Sequence, residues 1–121
     1  MTDTVCRVSE HIGATYGGSP LSAASKFLWL LHKDPFVIFD SRARRHLGGS
    51  EMYVEYVERW EVSYSSMRDR IRHACRNLLS MRLYLSKAHS LTEAAVAETA
   101  GQEWFARRVH DIFLWQAGSG A

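Results

Sequence analysis

Tyr53, Tyr56, Trp60 and Tyr64 recur at spacings of three and four in "YVEYVERWEVSY". That period sets four large aromatic rings, with Val57 beside them, on one stripe of a helix. Rings of this size are stable on a helix only against a core, so the segment 50–64 is expected to be a helix packed on other helices. The rest of the chain agrees in period. Residues 2–15 carry Val5, Val8 and Ile12 on one face and end at a glycine pair, Gly17 and Gly18. Ser19 then offers an N-cap with Pro20 at the first helical position, which predicts a second helix through about His32.

Beyond the aromatic stripe, Ile71, Ala74, Leu78, Met81 and Leu85 predict a separate helix from Ser66 of about twenty residues. "SLTE", residues 90–93, has the capping-box pattern and opens the next helix. Gly101 separates it from a last helix whose core face is expected to hold Phe105, Val109, Ile112 and Phe113. The expected fold is therefore all-α, with five to seven helices in one domain over residues 1–117 and a loose tail over 118–121. A chain of 121 residues can bury roughly two thirds of its unfolded surface without staples. Cys6 and Cys75 form no CxxC pair, no N-terminal segment reads as a signal peptide, and no run is long enough to span a membrane. A cytoplasmic protein without membrane partners is expected.

Few residues carry recognisable chemistry. The six histidines show no HxxxH or Cys/His cluster at ligand spacing, so neither a metal nor another cofactor is expected. "YGGSP" and "LGGSE" are glycine turns without the strand a phosphate loop needs. Cys75, among Ile71, Ala74 and Leu78, reads as a buried structural thiol. The four tryptophans fall mostly on helical core stripes. Asp40 stands out because "FVIF", an extended or strand-like apolar run, drives straight into it before "SRARRHLGG". An aspartate ahead of a helical run accepts backbone N–H groups as an N-cap, which accounts for Asp40 structurally.

The order of parts in "GGSPLSAASKFLWLLHKDPFVIFDSRARRHLG", residues 17–48, also resembles the helix-hairpin-helix base-excision DNA glycosylases of the 8-oxoguanine glycosylase type. Those enzymes lead from a glycine hairpin through a helix and a short loop to a catalytic aspartate in a pattern like D-T-x-V-x-R. The resemblance sets Gly18 on the hairpin glycine, Asp40 on the catalytic aspartate and Arg44 or Arg45 near the motif arginine. The terminal "RRVHDIFLWQAG" is similar to the closing helix of small proteins of that fold. Two positions depart from the pattern: Ser22 stands where bifunctional members carry a lysine, with Lys26 a turn later, and Pro20 replaces the second hairpin glycine. Lost or reduced catalysis is the expectation, so the chain reads as more a binder than an enzyme.

Charge then indicates partners. Glu51, Glu55 and Glu58 share one helix face with Glu61 close by, and Arg59 alone offsets them. Arg68, Arg72 and Arg76 form a basic stripe on the helix expected after it, and could pair with the acidic ridge across a helix hairpin. The leading expectation is a non-enzymatic protein that masks a basic protein partner in the manner of immunity or antitoxin proteins, with Glu51, Glu55, Glu58 and Glu61 at the interface. The alternative is a nucleic-acid-binding protein or weak glycosylase, with Asp40 catalytic and Arg42, Arg44, Arg45, Arg68, Arg72 and Arg76 on phosphates.

Overall fold

The computed structural model describes residues 1–18, 20–80 and 92–120. The fold is all-α. Its helices are α1 (Thr2–Tyr16), α2 (Leu21–Leu31), α3 (Ser41–His46), α4 (Tyr53–Asn77), α5 (Glu93–Ala100) and α6 (Glu103–Ala117), with a 3₁₀ turn at Leu78–Ser80 and no strand among the described residues. The chain divides into two compact units, one of Met1–Val62 with Asp111–Ala121 and one of Ser63–His110. The expected Ser19 cap, the Met81 to Leu85 continuation with Arg82, Ser90 and Leu91 of the capping box, and Ala121 lie outside the described residues.

In the first unit α1 packs on α2 through a turn in which Gly17 and Gly18 both sit at φ 79°, a region open to glycine. Pro20 occupies the position just before α2 and supplies its carbonyl to Ala24. After α2 the backbone of residues 36–39 lies outside any helix or strand, with Val37 and Ile38 buried. Such a segment has no ladder to satisfy its polar groups, and burying them bare would be costly. Side chains do that work instead. Phe39 N–H donates to Ser25 Oγ of α2 (2.8 Å), while the hydroxyls of Tyr53 and Tyr56 donate to the carbonyls of Val37 (2.6 Å) and Ile38 (2.9 Å). Phe39 also meets Tyr56 edge-on, with ring centroids 4.9 Å apart. The aromatic stripe of α4 is thus both apolar packing and a set of donors. Burial pushes both phenols far above the ordinary tyrosine range, so they remain donors at any physiological pH.

The expected break near Ser66 does not occur. α4 runs unbroken for 25 residues, because serines cost a helix only a few tenths of a kcal/mol each and Ser66 Oγ donates back to the Ser63 carbonyl (2.8 Å). The acidic ridge and the arginine stripe therefore lie one after the other on a single helix and cannot face each other as a hairpin. In the second unit Tyr64, Ile71 and Cys75 are the buried positions of α4, and Tyr64 meets His110 of α6 edge-on at 5.6 Å. Burial pushes the Cys75 thiol up, which suits a packed, unreactive sulfur. α5 is capped by Thr92, whose hydroxyl accepts from Ala95 N–H (3.1 Å), so its cap lies two residues later than the box pattern placed it.

The face of α6 differs from expectation. Ala106, His110, Asp111 and Leu114 are buried, whereas Ile112 and Phe113 are exposed. Counting apolar residues set the wrong phase, because two core positions hold polar side chains. Trp60 Nε1 donates to Asp111 Oδ1 at 2.8 Å, which gives the buried carboxylate a partner. At the end of the helix Gly118 is buried against α3, where a Cβ would overlap the Arg42 carbonyl. Ser119 follows it, accepting from the Arg42 guanidinium (3.1 Å) and donating to the Trp115 carbonyl (2.6 Å).

Tyr56→Phe removes one hydroxyl and strands the Ile38 carbonyl in the core. It should destabilise the protein by about 1–3 kcal/mol, read as a lower urea midpoint with an unchanged slope.

Candidate functional site

Asp40 follows the buried segment at φ -125° and ψ 138°. Its Oδ1 accepts from the backbone amides of Arg42 (2.8 Å) and Ala43 (3.2 Å), so the side chain caps α3. Lys26 is exposed on the face of α2 opposite Ala24, Ser25 and Leu28. Ser25 is the residue of α2 that reaches Phe39, and Lys26 makes no hydrogen bond or ion pair with Asp40. The structure thus does not join the amine and the carboxylate that the glycosylase resemblance would pair.

The arginines after Asp40 are engaged locally. Arg42 lies over the Trp115 ring at 4.5 Å as well as on Ser119, Arg44 Nη1 donates to the Gly49 carbonyl (3.1 Å) and Arg45 Nη1 reaches the Gly118 carbonyl (3.5 Å). Together they tie α3 to the end of α6 and to the turn after α3, a role for guanidinium forks that needs no phosphate.

In the second unit the arginine stripe meets a carboxylate that charge patterning did not single out. Glu103, at the first position of α6, accepts from Arg72 and Arg68 through Oε2 and from the Tyr64 hydroxyl through Oε1 (2.8 Å). The Arg68 contact is 3.4 Å. Burial alone raises the Glu103 carboxyl, but hydrogen bonds from Arg72, Tyr64 and Arg68 outweigh it and hold the group down to about 2. Burial, then the bond to Glu103, lifts the Tyr64 phenol to about 12. Arg76, the third member of the stripe, is exposed and makes no ion pair among the described residues. The signal for Glu103 was its place in the first turn of a helix, where a carboxylate is favourable, but its partners lie over thirty residues back along the chain.

The acidic ridge lies in the first unit. The helix expected from Ser50 begins only at Tyr53, so Glu51 precedes α4 and does not share its face; Glu55 and Glu58 are exposed on the side of α4 opposite Tyr53, Tyr56 and Trp60, and Glu61 is half-buried at its edge. Glu51 and Glu58 make no hydrogen bond or ion pair among the described residues, and Glu55 accepts only from Ser50 Oγ. Arg59, the one basic residue within the ridge, sends Nη1 to the Leu47 carbonyl at 3.1 Å and so closes the end of α3. Val62, 72 % exposed, continues the Glu55 and Glu58 face, with Val54 exposed to one side and Met52 to the other. Those apolar residues were missed because they belong to neither the aromatic stripe nor the charge pattern. Their spacing from the glutamates was the available signal.

Among the described residues no group of three or more His, Cys, Asp or Glu side chains is placed to hold a metal, and no helix is long and apolar enough to cross a membrane. Comparison with protein-family models, with curated proteins and with solved structures returns no match.

The Glu103 cluster yields a pH dependence with a definite sign. A carboxylate held down to about 2, against 4.5 unperturbed, adds stability that is present above pH 4.5 and lost as the pH falls towards 2. With its side chain 44 % exposed, solvent screening leaves a contribution on the order of 1 kcal/mol. Glu103→Gln should lose that amount at pH 7 and show a flatter decline in urea stability through this range than the unmodified protein.

Proposed function

We propose that the protein is a binding protein that covers a basic surface on a protein partner with the outward face of the first half of α4, in the manner of immunity or antitoxin proteins. The observation that carries this reading is that, among the described residues, Glu51 and Glu58 make no hydrogen bond or ion pair. Arg42, Arg44, Arg45 and Arg59 of the same unit are directed to carbonyls, a hydroxyl and a ring.

Like charges at this spacing cost a helix a few tenths of a kcal/mol per pair, and an opposite surface would relieve that cost. Val62, Val54 and Met52 supply what a purely solvated ridge would lack, apolar area beside the charge. A face built this way steers encounter by field and holds the complex by burial. Asp40 supports binding over catalysis, since its Oδ1 already accepts two amide protons.

The test is a binding titration with a basic protein encoded beside this gene, using the native chain and Glu55→Lys/Glu58→Lys. The swap should weaken binding by a factor of 100 or more, about 3 kcal/mol, without changing the melting temperature. Nucleic-acid binding that falls steeply with salt and disappears in Arg68→Ala/Arg72→Ala would point instead to the phosphate-binding alternative.

A further inference from the structure

We draw no further inference here: the strongest candidate, the apolar surface patch that Phe27, Leu30 and Leu31 expose on α2, carries none because nothing in the structure shows what covers it.

Discussion

A short length of backbone buried outside any helix or sheet sets the terms for the first unit. Residues 36–39 must pass through apolar surroundings, and their amides and carbonyls need partners that regular structure would otherwise supply. Ser25, Tyr53 and Tyr56 meet that need from two helices at once. Each bond fixes a register: Ser25 sets how α2 lies against the segment, and the two phenols set how α4 lies against it. Asp40 emerges from this arrangement already positioned to cap α3, and the arginines of α3 then fasten the end of α6. Gly118 makes that last approach possible because it carries no side chain to strike the Arg42 carbonyl.

Much of this was readable from residue type and spacing alone. The aromatic stripe of α4, the cap at Asp40, the end of α1 at its glycine pair and the burial of Cys75 follow local rules, since caps and periodicity act within a few residues. What escaped such reading depends on distant partners. The seam of α6 runs through His110 and Asp111, and nothing near Asp111 in the sequence announces that Trp60, fifty-one residues earlier, would donate to it. Glu103 is the same case, paired with Arg68 and Arg72 from another helix. The separate helix expected from Ser66 is the continuation of α4, since serines there cost a helix only a few tenths of a kcal/mol.

The charged residues separate into two groups by what they touch. Arg42, Arg44, Arg45, Arg59, Arg68 and Arg72 are bound to partners within their own unit and act as structural ties. Glu51 and Glu58 are exposed and unengaged among the described residues, with exposed Met52, Val54 and Val62 close to them in the sequence. Charge next to apolar area is what an interface uses to combine steering with burial, which is why the functional reading rests on these few residues and not on the net charge of +2. The resemblance of residues 17–48 to base-excision glycosylases remains a proposal about ancestry that the Asp40 cap neither requires nor uses.

The most direct measurement of the side-chain support beneath residues 36–39 is amide hydrogen exchange at Phe39, whose N–H has Ser25 Oγ as its acceptor. The amide should be protected about 1,000-fold or more in the native protein, and Ser25→Ala should lower that protection by at least tenfold while neighbouring helix amides of α4 keep theirs. Exchange of the Phe39 amide at the rate of an unstructured chain in the native protein would contradict the account at its base.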